Sequence, residues 1–296
     1  MPAQPAPASA HASVVIRRAT PEDAPVCGQI CYTAFHRINT EHGFPPDVPS
    51  VEVATGILSQ VFAHPRFYCV VAEVDGRVAG SNCLDERSAI MGVGPLTVDP
   101  TGQNRGVGRM LMNAVLDRAR ERGAAGIRLV QAAFHSRSLS LYASLGFSVR
   151  EPLAVMQGPA IGRQLEGCTV RPARRGDLEE CNRVCRLVHG HDRGGSLAEA
   201  IDEGAATVTE RNGRITAYAT AMAFFGHAVA ESNVDLHALI AGAESFGGPG
   251  ILVPMRNAEL FRWCLANGLR VVECMTLMTV GLYNEPSGAW LPSILY

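Results

Sequence analysis

The chain has 296 residues, of which 47% are hydrophobic and 18% charged, and its net charge at pH 7 is −2. This composition excludes a disordered chain, and the length is sufficient for two domains. There is no basic excess for a nucleic-acid partner and no run of about 18 apolar residues for a membrane span, so we expect neither partner. Nine cysteines, odd in number and scattered, favour the reducing cytoplasm over a disulfide framework.

Residues 1–13 are rich in Ala and Pro and contain no Lys or Arg, so they lack the basic start of a signal peptide and are predicted to be a disordered tail. After this tail the apolar periodicity predicts the order β-α-α-β-β-β-α-β-α-β. Asp75-Gly76 is a hairpin turn between two of the strands. The predicted strands are 14–17, 67–74, 77–84, 90–98, 127–134 and 147–156, and the predicted helices are 21–37, 51–62, 105–122 and 137–145.

A strand, a turn and a helix meet at residues 96–109. The turn is marked by Pro100-Thr101-Gly102, and from Val107 the apolar residues have the spacing of one helix face. Gly106 and Gly108 let a ligand approach the backbone, and the first amides of a helix have no partner within it. This junction is therefore a candidate pyrophosphate site. It matches neither the dinucleotide fingerprint nor the P-loop.

Two patterns here carry a family resemblance. The first is Q/R-x-x-G-x-G/A, matched by Gln103, Gly106 and Gly108, with L-x-V-x-P upstream at Leu96, Val98 and Pro100. The second is N-x-x-A-x-x-L-Y-x-x-x-G-F, matched by Leu141, Tyr142, Gly146 and Phe147, with His135 in place of Asn and Ser138 in place of Ala. Over residues 14 to about 158 the chain resembles the GNAT acetyltransferases, which have an α/β fold with a mixed sheet.

The resemblance implies that acetyl-CoA is the co-substrate. By the same resemblance Tyr142 protonates the departing thiolate, although a tyrosine here could also simply pack its ring on the buried helix face. The backbone N–H of Val98 or a close neighbour would polarise the thioester carbonyl. Arg105, Arg109 and Arg137 are candidates to pair with the CoA phosphates, or they form surface salt bridges. The residues expected at acetyl-CoA are Leu96, Thr97, Val98, Gln103, Asn104, Arg105, Gly106, Val107, Gly108, Arg109, His135, Ser138 and Tyr142.

The group that deprotonates the acceptor amine is not identified by the sequence. Several GNAT proteins carry a Glu on the fourth strand, eleven residues before the loop, and here that position is Gly92. A chain of waters to a distant acid is an equal alternative. The side chains that could act as the base are His36, Glu41, His42, Asp85, Glu86 and His135.

The opening of the chain recurs near residue 168. Arg17, Asp23 and Cys27 have counterparts in Arg171, Asp177 and Cys181 at a constant offset. We therefore predict two tandem GNAT folds: a domain at 14–158, a linker at 159–167 and a second domain at 168–296. The second copy is degenerate, since it lacks the glycine motif and has Cys264 where the first has Tyr142.

Three further features have alternatives. Cys27 and Cys31, like Cys181 and Cys185, are one helical turn apart, and we expect buried core positions rather than a metal site. His189-Gly190-His191 is expected to be a solvated turn. The apolar run 281–296 either closes the acceptor pocket, with Tyr283 and Trp290 as walls, or adds a last strand to the second sheet.

Together these features predict a cytoplasmic acetyltransferase that moves acetyl from acetyl-CoA to a primary amine. The alternative is a non-catalytic acyl-CoA-binding or regulatory protein, which the missing carboxylate at Gly92 supports. The sequence leaves open the identity of the amine and whether the chain forms a homodimer.

Overall fold

The structure is a computed structural model that describes residues 13–102 and 105–296. Its helices are α1 Ala24–His42, α2 Val51–Ala63, α3 Val107–Glu121, α4 Ser136–Ser144, α5 Leu178–His189, α6 Gly194–Asp202, α7 Asn233–Ala241 and α8 Ala258–Ala266. Its strands are β1 Val14–Arg18, β2 Phe67–Val74, β3 Arg77–Asp85, β4 Ile90–Val93, β5 Thr97–Val98, β6 Gly126–Ala132, β7 Ser148–Gln157, β8 Thr169–Pro172, β9 Thr207–Arg211, β10 Arg214–Ala219, β11 Ala228–Ala230, β12 Ile251–Pro254, β13 Arg270–Gly281 and β14 Ala289–Leu291. The predicted α/β class with a mixed sheet is confirmed.

The two halves of the chain exchange strands. The larger sheet has the order β1-β2-β3-β4-β6-β13-β7-β12, with β5 paired to β3. Strand β13, from the second half, lies between β6 and β7 of the first half, and β7 in turn pairs with β12 of the second. Because β13 pairs with β6 and β7, and β12 pairs with β7, the halves are joined by continuous backbone hydrogen bonding rather than by side-chain contact alone.

Strands β4 and β6 are parallel and separate toward their carboxyl ends. Their pairing runs from Ile90 opposite Gly126 to Gly92 opposite Arg128. The predicted strand 90–98 is wrong as one element, because it breaks at Gly94-Pro95 into β4 and β5. Pro95 has no N–H to donate to a neighbouring strand, and Gly94 has a φ of +140°. The break opens a cleft between β4, β5 and β6.

Helix α1 ends five residues later than predicted, at His42, and is followed by Gly43, whose φ of +73° suits a left-handed helix cap. The predicted start at Pro21 is a separate 3-10 turn, Pro21–Asp23. The extra length matters for the site, because it carries Asn39 and the end of α1 to the cleft.

The recurrent opening has the same ion pairs in both halves. Arg17 contacts Asp23 at 2.7 Å and Glu73 at 2.8 Å, while Arg171 contacts Asp177 at 2.7 Å and Glu210 at 2.6 Å. In the second half, however, β14 is paired to β11 and lies against β12. The space between these two strands, which corresponds to the β4/β6 cleft, is therefore filled by the chain's own last strand.

The cysteines at helical spacing are buried. Cys27 and Cys31 belong to one core cluster under α1 and α2, and Cys181 and Cys185 belong to another under α5 and α6. The expectation of a solvated turn at His189–His191 is wrong, since the His189 side chain is buried edge-on against Trp290, 5.4 Å between ring centroids. In the part of the chain that the structure describes, no helix combines the length and the apolar character needed to cross a bilayer.

Candidate active site

A cavity of about 660 Å³ opens at the cleft between β4, β5 and β6. It is bounded on one side by α3 and α4, on another by α1 and α2, and on a third by segments of the second half. Of the residues expected at acetyl-CoA, those that line it are Leu96, Thr97, Val98, Gly106, Val107, Gly108, Arg109, His135, Ser138 and Tyr142. The second half contributes Phe224, Phe225, Met275, Ile294 and Leu295.

The N-terminus of α3 faces this cavity. Gly106, with a φ of +78°, is the residue before the helix, and the first helical hydrogen bond runs from the Met110 amide to the Gly106 carbonyl at 3.0 Å. The amides of the first turn therefore have no acceptor within the helix and carry the positive end of its dipole. A side chain at Gly108 would meet Val98 and Leu141, so a bare backbone keeps this wall open. The arrangement fits an anionic group such as a diphosphate.

The basic residues of the motif differ in position. Arg109 is exposed at the cavity edge and donates to the Ser144 hydroxyl at 2.8 Å. Arg137 also lines the cavity, whereas Arg105 is exposed and is not among the lining residues. Gln103 and Asn104 lie outside the described residues.

Strand β5 presents one backbone amide to the cleft. The Asp99 amide donates to the Ala79 carbonyl of β3 at 2.8 Å, and Val98 is opposite Gly80 in the same antiparallel pair. Because hydrogen-bonded and non-hydrogen-bonded pairs alternate, the N–H of Val98 points away from β3. It is therefore free to donate to a group in the cavity.

Strand β6 and the start of α4 add polar groups. Gln131 is buried, and its Nε2 has no hydrogen-bond partner in the part of the chain described. Its Oε1 lies 3.0 Å from the Ser138 hydroxyl. The amide N–H₂ group of Gln131 is thus a donor without an acceptor among the described residues. The amide carbonyls of an extended pantetheine arm would supply such an acceptor. Burial, together with the nearby Arg137, lowers the pKa of His135 and keeps that imidazole neutral.

Tyr142 lies on α4 and lines the cavity. Its side chain is buried, with the Phe147 ring 6.1 Å away between centroids. Burial raises the pKa of the Tyr142 phenol to about 12. The hydroxyl therefore stays protonated at any physiological pH, which a proton donor requires.

The candidate bases are separated by the structure into two groups. His42, Glu41 and His135 line the cavity, but Glu41 is exposed and paired with Arg37 at 2.7 Å. His36 stacks on Tyr32 and does not line the cavity. Asp85 and Glu86 also lie outside the cavity lining, in ion pairs with Arg87 and Arg118 respectively, both at 2.6 Å.

A carboxyl pair that sequence reasoning missed lies at the other end of the cavity. Asp47, in the loop between α1 and α2, lines the cavity, and its carboxyl lies near enough to that of Glu273 on β13 to raise the pKa of Glu273. The two residues come from different halves and are more than 200 positions apart in the chain. No local spacing could have signalled their meeting, because it depends on the strand exchange.

The C-terminal run combines both predicted roles. Residues 289–291 form the strand β14, and Ile294 and Leu295 line the cavity. The expectation for Tyr283 and Trp290 as pocket walls is wrong. The Trp290 side chain packs against His189, because β14 pairs with β11, and the Tyr283 ring lies 5.1 Å from the Arg128 guanidinium.

Comparisons with known proteins agree with this geometry. A family model described as acetyltransferase (GNAT) family matches residues 33–147. A solved structure of a Pyrococcus horikoshii protein assigned as an acetyltransferase has a TM-score of 0.70 at 19% identity, covering 93% of this chain and 94% of that one. A GCN5-related N-acetyltransferase from Sphaerobacter thermophilus has a TM-score of 0.62 at 15% identity, with 92% and 96% covered. The curated proteins give no significant match.

The two structures cover both halves of the chain, so the whole two-part fold recurs in other proteins. The family model covers the stretch from within α1 to the end of α4. That stretch carries the glycine motif, the splayed strands and Tyr142. Residues 33–147 therefore form a GNAT acetyltransferase domain, and this domain makes the protein an acyltransferase with acetyl-CoA as co-substrate.

Proposed function

We propose that the cavity transfers the acetyl group of acetyl-CoA to a primary amine by direct attack, and that Tyr142 protonates the sulfur that leaves. One observation carries the proposal: the N-terminus of α3, the cleft-facing side of β5 and the Tyr142 side chain share a single cavity. The cavity therefore brings together hydrogen-bond donors for a diphosphate, a donor for the thioester carbonyl and an acid for the leaving thiolate.

Each group has a defined task in this proposal. The first-turn amides of α3, from Gly106 to Arg109, hold the diphosphate. The unpartnered amide of Gln131 donates to the pantetheine arm. The N–H of Val98 donates to the thioester oxygen as negative charge develops on it, which is the stage at which a fixed donor lowers the barrier most.

Tyr142 supplies the final proton. A thiolate that leaves an acyl group is a better base than the carboxylates or water nearby, so a neutral phenol within reach is a suitable acid for it. The raised pKa of Tyr142, about 12, keeps the phenol protonated before the reaction. The transferred proton is then replaced from solvent.

The test is a thiol-release assay with acetyl-CoA and a library of primary amines. We expect thiol release that depends on an amine and yields the matching acetamide by mass spectrometry. Gly92, which lacks the carboxylate found at this position in several family members, favours the rival of a protein that binds acyl-CoA without catalysis. Tight acetyl-CoA binding with no turnover of any amine would support that rival and contradict the proposal.

A further inference from the structure

Resting on the proposed function, we propose that the acceptor is an apolar primary amine whose ammonium group is bound and deprotonated by Asp47, with Glu273 of the other half positioning that carboxyl. The acceptor site would then be built from both halves of the chain. This assigns a task to the second half, which has no acyl-CoA motif of its own.

The carboxyl pair lacks a cation. In the part of the chain described, neither Asp47 nor Glu273 makes a salt bridge, whereas most other buried carboxylates of the molecule pair with arginine, such as Glu151 with Arg256 at 2.6 Å. Glu273 Oε2 is buried without a hydrogen-bond partner, and so is Oδ1 of Asn39. Asn39 lines the same cavity and donates through Nδ2 to the Pro45 carbonyl at 2.9 Å.

Asp47, without a cation, and the unpartnered Oδ1 of Asn39 therefore line one part of the cavity, and the Glu273 carboxyl lies beside Asp47. Buried charges and polar groups are costly unless they are paired. An ammonium group carries one positive charge and three N–H donors, and it satisfies both needs at once. An anionic or purely apolar acceptor would satisfy neither.

The protonation of Glu273 decides the charge of the pair formed by Asp47 and Glu273. Burial and the neighbouring Asp47 raise the pKa of Glu273 to about 9, and burial raises the pKa of Asp47 as well. At neutral pH Glu273 therefore carries a proton, and its hydroxyl can donate to the Asp47 carboxylate. The other titratable group near Asp47 is the Cys31 thiol, whose pKa is raised by burial to about 12, so it stays neutral.

Apolar side chains from both halves also line the cavity, next to Arg37, Glu41 and His42 of α1. The second half closes it with Phe224 and Phe225 and with Ile294, whose amide donates to the Phe224 carbonyl at 2.8 Å. The first half contributes Phe35, Ile38, Val48 and Ile57. One ammonium group would find its partner in such a site, while a second charge on the same acceptor would be buried without one. The walls therefore favour a monoamine with an apolar body over a polyamine.

The reaction balances with these groups. The acceptor enters as an ammonium ion, and the Asp47 carboxylate takes one proton. The nitrogen lone pair then forms a C–N bond to the thioester carbonyl carbon, and the C–S bond breaks with its electron pair on sulfur. Tyr142 gives its proton to the thiolate and is reprotonated from solvent, to which the nitrogen and Asp47 each return one proton. The products are the acetamide, the free thiol and one proton.

The experiment uses the full chain and compares Asp47→Asn, Glu273→Gln, Glu273→Leu and the control Glu244→Gln, a carboxylate exposed in a loop away from the cavity. Probes are 2-phenylethylamine and hexylamine as apolar monoamines, spermidine as a polyamine and a lysine-containing peptide. Acetyl-CoA affinity is measured by calorimetry and folding by circular dichroism.

We expect Asp47→Asn to lower kcat/KM for the amine by about 10²-fold or more, with unchanged acetyl-CoA affinity. Glu273→Gln, which keeps a donor toward Asp47, should stay within about tenfold of wild type, and Glu273→Leu should not. Because Glu273→Leu removes the neutral carboxyl that donates to Asp47, the pKa of Asp47 should rise and the acid limb of the kcat/KM profile should move to higher pH, which a purely structural role would not produce.

Two results would overturn the inference while the proposed function stands: wild-type kcat/KM in a folded Asp47→Asn variant, or spermidine or peptide preferred over both monoamines. A wild-type protein that binds acetyl-CoA but acetylates no amine would overturn both proposals. The failure of the inference is thus recognised while the wild-type protein still acetylates an amine, and the failure of the proposed function by the absence of any acetylation.

Discussion

The backbone carbonyl of Leu295 lies directly over Gly92, so that a β-carbon at Gly92 would overlap the Leu295 oxygen. Gly92 is the position at which several members of the family carry a glutamate, and in this chain the C-terminal segment occupies the space of that side chain. The C-terminal segment therefore leaves no room for a side chain at this position. In the proposed reaction, the base therefore has to come from another position, such as Asp47.

Gly92→Ala should therefore destabilise the protein. The new methyl group would push against backbone rather than against a flexible side chain, and overpacking of this kind costs about 1–3 kcal/mol. Gly56→Ala is the matched control, because Gly56 is exposed within α2 and its β-carbon would meet nothing within 4 Å. That substitution should stabilise by about 0.5–1 kcal/mol. Urea unfolding of both variants measures the difference, and equal effects would contradict the close approach.

Gly106→Glu should weaken acetyl-CoA binding by at least about tenfold. Its carboxylate would lie at the positive end of α3, where it competes with the diphosphate for the free amides. Gly123→Glu controls for backbone strain, because Gly123 has a similar φ of +66° and open space around it at the other end of the same helix. Calorimetric titration with acetyl-CoA should separate the two variants. If both variants lost acetyl-CoA affinity to a similar degree, the N-terminus of α3 would not be the site that holds the cofactor.

Much of the first half could be predicted because its signals are local. Gly106 and Gly108 mark the start of a helix, and the apolar spacing from Val107 predicts α3. The hairpin turn at Asp75-Gly76 predicts the pairing of β2 with β3. Each of these signals lies in, or directly next to, the helix or strand that it predicts. The family motifs follow the same local logic, and so most residues expected at the cofactor meet in one cavity.

The acceptor end could not be predicted because it depends on contacts between distant parts of the chain. Glu273 reaches Asp47 only because β13 is inserted between β6 and β7, and neither sequence pattern nor spacing specifies which sheet a strand joins. The position of Leu295 over Gly92 likewise depends on a contact between distant parts of the chain. His189 also appeared suited to a solvated turn by its glycine neighbour, whereas packing against Trp290 buries it.

Tyr142→Phe should lower kcat by about 10²-fold or more, with little change in acetyl-CoA affinity, because the ring that packs on α4 remains while the proton donor is lost. Tyr68→Phe is the control, since the Tyr68 ring lies outside the cavity lining, 4.2 Å from the Arg18 guanidinium. Pre-steady-state thiol release measures the chemical step directly. A wild-type rate for Tyr142→Phe would leave the tyrosine with a packing role alone.

The carboxyl pair should also leave a signature in stability. The pKa of Glu273 is raised from its ordinary value of 4.5 to about 9, so between these two values the folded state binds more protons than the unfolded state. The free energy of unfolding therefore falls as the pH rises through this window, by at most about 1.4 kcal/mol per pH unit for one group. Glu273→Gln removes this proton uptake.

We expect the stability of Glu273→Gln relative to wild type to increase steadily from pH 5 to about 9, as measured by urea unfolding at each pH. The buried histidines His189 and His227 have lowered pKa values and act in the opposite direction at low pH, but they are present in both proteins and cancel in the difference. Glu244→Gln, exposed in its loop, should instead run parallel to wild type at every pH. If Glu273→Gln also ran parallel, Glu273 would hold no proton in this pH range, and it could not position Asp47 as a hydrogen-bond donor.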